Sequence, residues 1–287
     1  MHIKTLVKRN MMLFFKDKSA VFFSLMAVFV VLFLYICFLG DMMIKPLEEA
    51  FGKHARELSD NWIMAGMLGT VSLTTSLSVL GIIIDDKSKR ILQDFQVSPL
   101  TQKEIIISYI LSTFIITFLV SLFTLGIAEL YIVSYGGEWL TLSALGNVLL
   151  IMCISIFSCT TMLFVIMSFF TSTSSFSNVT TIIGTLSGFL MGIYVPIGSL
   201  PTFLQTAIRF FPPSHGASLF RKAMLEEPMQ RIFASFSPET LSNFREQFGL
   251  DFYYGNTMCT TPISIAVLFV TGLAFLIVAF LIMKRKK

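Results

Sequence analysis

Glu226, Glu227 and Arg231 stand in the spacing E-E-x-x-x-R, the most suggestive arrangement for chemistry in this chain. An intramembrane protease would use such carboxylates together with histidines further along, as metal or base groups. No histidine follows His215, and Pro228 interrupts the run. His2, His54 and His215 are far apart in sequence and give no ligand pair, so neither a zinc nor a serine–histidine site can be assembled. Cys37, Cys153, Cys159 and Cys259 show no C-x-x-C spacing, and three of the four fall inside apolar runs, where a thiol is a small embedded side chain. The only Gly-Lys pair, Gly52-Lys53, is followed by His54 instead of Ser or Thr, so there is no phosphate-binding loop. No catalytic residue, metal ligand or cofactor is expected on this chain.

A second group of polar side chains is arranged by helical spacing. Ser72, Thr75 and Ser76 share one face of an apolar stretch. Such a face looks at other helices or a water-filled path, or else its hydroxyls bond their own i−4 carbonyls. Gly184, Gly188 and Gly192 recur every fourth residue, a pattern that lets a second helix approach closely.

The elements that must position these residues are membrane helices. The chain is 55% hydrophobic and only 13% charged, about half the charge of a soluble domain, with a mean hydropathy of +0.80. The expected fold is an all-α polytopic membrane protein with six spans, at about 20–39, 62–84, 105–133, 145–170, 179–195 and 262–283. Residues 1–19 form a basic amphipathic helix suited to the membrane interface. Residues 41–61 read as a polar loop. Within 85–104, Ile91, Leu92, Phe95 and Val97 make a short amphipathic turn, and Thr101 with Glu104 has the spacing of a capping box for the next helix.

After the fifth span, Pro196, Gly198 and Pro201 interrupt the helix. The apolar piece that follows is about ten residues long, too short for a bilayer core that needs about 20. Residues 196–213, with Pro196, Leu200, Pro201, Phe211 and Pro212 at their breaks, are expected to form a re-entrant element next to a transport path. Residues 214–260 are expected to be a small external segment. The lysines and arginines are densest in 1–19, 85–104 and the C-terminal Lys284–Lys287, which places those segments and both termini in the cytoplasm.

Three stretches, in order, resemble a known family. They are the basic helix ending in Lys16-Asp17, the run Ser98-Pro99-Leu100-Thr101 after the amphipathic turn, and Leu186-Ser187-Gly188 followed by Pro196, Leu200-Pro201 and Phe211-Pro212. Together they resemble the membrane permease subunit of type-2 ABC exporters over nearly the whole chain. One departure is that Ser88-Lys89-Arg90-Ile91 stands where the family usually has a glycine and a glutamate.

The resemblance implies two permease chains, identical or homologous, each docking a separate cytosolic ATPase that carries ATP and Mg. Residues 90–97 would be the coupling helix, with Ile91, Leu92 and Phe95 in a groove of the ATPase, Arg90 and Asp94 at its rim, Val97 at its end, and Lys16-Asp17 on the bracing helix. Phe29, Phe33, Ser72, Thr75, Ser76, Thr181 and Thr185 are candidates to line the path. An uncharged path suits an amphipathic or hydrophobic cargo, such as a drug, lipopeptide or toxin, exported across a bacterial plasma membrane. No nucleic-acid partner is implied. The rival is a secondary transporter or channel independent of ATP, but the expected spans carry no ionisable group at mid-depth.

Overall fold

The computed structural model describes residues 2–255 and 257–285, and those residues are almost entirely helical. Helix α1 (His2–Lys16) buries Leu6, Val7, Asn10 and Phe14 and leaves Lys4 and Lys8 exposed. Asp17 caps α2 (Lys18–Leu34) by accepting from the amides of Ser19 and Ala20. The helix then passes through a π-helical turn, Tyr35–Leu39, and continues without a break as α3 (Gly40–Phe51). Residues 41–51, expected as part of a polar loop, are therefore helical. Their charges sit on one side only, and the other side carries an apolar stripe that a loop reading overlooks. Gly52, at φ 59°, turns the chain back.

Helix α4 (Ala55–Val79) is the axis of the molecule, and α5 (Gly81–Ser88) extends it. From Leu58 to Leu80 only Thr74 and Ser78 escape full burial. Helices α2, α7 (Gln102–Ser134), α8 (Leu142–Ser168), α9 (Thr173–Leu190) and α11 (Pro212–Ile232) pack around it. Gly69 lets α11 come so close that an added Cβ would lie 3.0 Å from the Ala217 side chain. The short α6 (Ile91–Val97) lies between α5 and α7, and Thr101 and Glu104 form the capping box that the sequence indicates. Helix α13 (Thr261–Arg285) packs along α8.

Among the described residues four helical runs are long and apolar enough to cross a membrane: 18–88, which doubles back at Gly52, then 102–134, 142–168 and 261–282. The 18-residue α9 starts before the expected fifth span, overlaps it only over 179–190, and is not among them.

The region after α9 departs most from expectation. Pro196 leads into a 3-10 turn, Pro201 starts α10 (Thr202–Phe210), and Pro212 opens α11 at its first position. The break points lie where the prolines put them. Residues 214–232, part of the segment expected to be external, form most of α11, which packs against α4, α8 and α13. Small residues (Ser214, Gly216, Ala217, Ser218) let it in, so its pattern lacks an apolar stripe. Beyond it come α12 (Pro238–Gln247) and a hairpin of β1 (Phe252–Tyr254) with β2 (Thr257–Cys259).

Candidate functional site

The first candidate site surrounds α6. Arg90, just before it, has φ 62°, the one left-handed non-glycine residue among those described. This conformation costs an ordinary residue about 1–2 kcal/mol and is natural to glycine. It separates α5 from α6. Arg90, Gln93, Asp94 and Val97 follow i, i+3, i+4, i+7 and form the exposed face of α6, with Val97 89% exposed. Leu92 and Phe95 turn the other way, half-buried against the chain's own core, and Ile91 is half-buried. The apolar face expected to enter a partner's groove is thus largely used internally, because the bundle covers it.

What braces α6 is a clasp that sequence reasoning did not find. Arg9 of α1 binds both carboxylate oxygens of Asp86 on α5, at 2.5 and 2.7 Å, and its guanidinium lies 5.4 Å from the centre of the Phe95 ring. Tyr109 of α7 donates to the same carboxylate. Asn10 bonds Ser112 at 3.2 Å. Next to Asp86, the Lys87 ammonium donates to the carbonyls of Met167, Ser168 and Phe170, satisfying the last turn of α8. Lys16 ends α1 and Asp17 caps α2, so the structure gives both a local role at that junction.

The expected path residues divide into two groups. Ser72, Thr75 and Ser76 are fully buried inside the bundle. Ser72 and Ser76 donate to the carbonyls of Leu68 and Ser72, and Ser76 also meets Thr117 and Thr160 at 3.3 and 3.2 Å. Ser76 is thus a helix-to-helix contact within one chain, Ser72 bonds only its own helix, and the buried Thr75 hydroxyl has no hydrogen-bond partner among the described residues. Phe29 and Phe33 on α2 and Thr181 and Thr185 on α9 are exposed, the threonines bonding the carbonyls of Ser177 and Thr181. Asn178, Thr181, Ile182, Thr185, Leu186 and Phe189 make a continuous exposed stripe along α9.

The three glycines do not share one packing face. A Cβ on Gly184 would meet nothing within 4 Å, one on Gly188 would overlap the Tyr194 ring, and Gly192 lies beyond the helix at φ 66°. There the Ile193 amide reaches the Gly188 carbonyl and the Gly192 amide that of Phe189, a left-handed helix ending.

At the opposite end of α4 is a second buried polar node. Arg221 of α11 is fully buried, donates to the carbonyls of Met191 (2.5 Å) and Gly192 (3.0 Å), and stacks over Trp62. Burial pushes its guanidinium down to about 9, so it is still charged at neutral pH at the negative end of α9. Trp62 donates to the Phe248 carbonyl at 2.7 Å. Lys222 (2.8 Å) and Arg245 (2.6 Å) both bind Asp251; burial alone would raise that carboxyl, but the two cations outweigh it and hold it below its usual range. Nothing in the local pattern marks Arg221 as buried, although two adjacent cations amid small residues are a signal worth checking.

A protein-family model described as "ABC-2 family transporter protein" matches residues 51–281. The chain belongs to the ABC-2 transporter family. In this ABC-2 chain the matched region runs from the last residue of α3 into α13 and so contains α4, α6, α9 and α11, while α1 and α2 lie outside it. A search of curated proteins found no match to this sequence. The ABC-2 assignment makes the chain a multi-pass membrane subunit of an ABC transporter.

Proposed function

We propose that this ABC-2 chain is the permease subunit of an ATP-driven exporter that moves an amphipathic or hydrophobic cargo out of the cell. Two cytosolic ATPases, carrying ATP and Mg, supply the energy, and a second permease chain completes the path. The chain crosses a bacterial plasma membrane six times, with both ends in the cytoplasm and with the α10–α11 pair entering from the outer side without crossing.

The observation that carries this reading is α6. A seven-residue helix exposes Arg90, Gln93, Asp94 and Val97 and is tied through Phe95, Arg9 and Asp86 to α1, α5 and α7. A push on that face reaches three helices through short, charge-assisted contacts instead of dissipating in a loop. The exposed stripes of α2 and α9, which flank α4, are the surfaces for the second permease chain and the cargo.

The test is co-purification followed by transport. The tagged chain should bring down a nucleotide-hydrolysing subunit, and cargo movement in vesicles should require ATP. Transport that proceeds without ATP and without such a subunit would support a secondary transporter or channel instead.

A further inference from the structure

At the end of α4 remote from α6, helices α3 and α12 and the segment 194–196 enclose an open groove of about 550 Å³. Its two walls differ in chemistry. The end of the π-helical turn contributes Leu39 and helix α3 contributes Met42, Met43, Pro46, Leu47 and Ala50, which follow one another at helical spacing as a purely apolar stripe. Its charged residues Asp41, Lys45, Glu48 and Glu49 are absent from the groove lining. Helix α12 contributes Thr240, Asn243, Phe244 and Gln247, also one face, giving one hydroxyl and two amides. Phe51 closes one end against Phe233, Phe236 and Phe244, with ring centres 4.9–5.8 Å apart. No charged side chain lines the groove among the described residues.

Leu47 anchors the apolar wall in the core, and the rest of the wall is partly uncovered. Met42 is 73% exposed, and Pro46 and Ala50 are also exposed. Its orientation is fixed by the π-helical turn before it, since the wider turn shifts the phase of every residue that follows. Tyr35 in that turn is buried and donates to Asp60 of α4 at 2.5 Å, which locks the shift in place. Pi-turns inside helices frequently mark functional sites.

Position indicates where an occupant comes from. From Lys18 to Leu39 the helix rises about 33 Å at 1.5 Å per residue, close to the thickness of a bilayer's hydrocarbon core of about 30 Å. The groove therefore begins where a membrane ends. The exposed Phe29 and Phe33 of α2, and the exposed stripe of α9, lead towards Leu39 and Tyr194 at its edge.

We infer that this groove binds one uncharged amphiphile drawn from the adjoining bilayer, with its hydrocarbon along α3 and its hydroxyl or carbonyl head bonded by Thr240, Asn243 and Gln247. The volume lies within the range of small-ligand sites, about 300–1,000 Å³, which pair apolar walls with a few placed polar groups. An anionic head group is disfavoured because a desolvated charge needs a charged or metal partner, and the lining offers none. The two Met side chains adapt to different chain shapes. This inference needs only the membrane placement of the chain and does not depend on coupling to an ATPase.

The test uses the full chain in nanodiscs without any ATPase, photolabelled with a diazirine-bearing monoacylglycerol. Label should concentrate in peptides covering 39–51 and 240–248. Ala50→Trp, which fills the groove, and Met42→Gln, at a solvent-facing position that leaves the fold intact, should each cut that label by about tenfold, the effect of an overpacking or polar mismatch. Glu49→Trp, outside the groove, should leave it unchanged. Three results would each overturn the inference: equal labelling in both groove variants, stronger labelling by an anionic analogue of the same chain length, or an intermolecular disulfide between Met42→Cys in one copy and Gln247→Cys in another, which would make a second chain the occupant.

Discussion

Arg9 and Asp86, 77 residues apart in sequence, meet through two parallel hydrogen bonds of 2.5 and 2.7 Å. The aspartate side chain is 4% exposed and the arginine 27%. With Tyr109 on the same carboxylate, the pair binds α1, α5 and α7 into one unit beside α6.

Asp86→Asn should loosen that unit. Breaking a buried pair costs about 3–5 kcal/mol; Arg9 is partly solvated, so about 2 kcal/mol is expected here, read as a lower melting temperature in detergent. Arg9→Lys should be nearly as damaging, because an ammonium cannot make the two-pronged contact. A pair of variants that melts like the parent would show that the clasp carries no stability.

Val97 and Phe95 point opposite ways from α6, and their substitutions should separate coupling from folding. Val97→Asp is expected to leave the melting temperature unchanged and abolish stimulation of the partner ATPase. Phe95→Asp should cost about 2–4 kcal/mol of stability, because it removes a packed ring and leaves a carboxylate against the core. Normal stimulation in Val97→Asp would mean that the docking face lies elsewhere.

Arg90 holds a left-handed conformation that glycine adopts without penalty. Arg90→Gly should be neutral or up to about 1 kcal/mol stabilising, and Arg90→Val should cost about 1–2 kcal/mol. Chemical denaturation of the three proteins in one detergent measures the order. A stability ranking with valine above glycine would contradict the backbone geometry.

Gly184 and Gly188 should behave differently despite their shared spacing. Gly188→Leu must displace the Tyr194 ring and should destabilise the isolated chain. Gly184→Leu meets open space within one chain, so its melting should not change, while self-association should weaken if the α9 stripe receives the second permease copy. Analytical ultracentrifugation of both variants distinguishes the two effects.

His215 predicts a pH dependence. Burial keeps its imidazole below the usual histidine range; Ser264, the Arg209 carbonyl and Tyr254 surround it, and the Lys222 charge adds to the shift. A histidine that stays neutral in the folded state gives full stability above its unfolded value, about 6.5. That stability is lost as the pH falls from there towards the folded value. Melting should therefore drop between pH 7.5 and pH 5, and His215→Gln should flatten the curve over that interval. The Asp251 carboxyl, held low by Lys222 and Arg245, adds a loss in the same direction only at more acidic pH.

Local signals were legible where one short stretch decides its own backbone. The capping box at Thr101 and Glu104, the breaks at Pro196, Pro201 and Pro212, and the long apolar helices all follow from residues within a turn or two of each other. The same reasoning took α3 for loop, because four charges within nine residues outweighed a stripe that appears only at helical spacing.

The sequence by itself determined that this is an apolar, largely helical chain built to sit in a bilayer, and where prolines and a capping box stop or start a helix. Tertiary structure alone decided which face of each helix is inside. Lipid tails and protein cores reward the same side chains, so hydropathy cannot tell Val28, buried against the bundle, from Phe29, exposed beside it. Nor can it foresee that Arg221 would be buried at the end of α9, or that Arg9 would find Asp86, because those contacts depend on chain segments that only folding brings together.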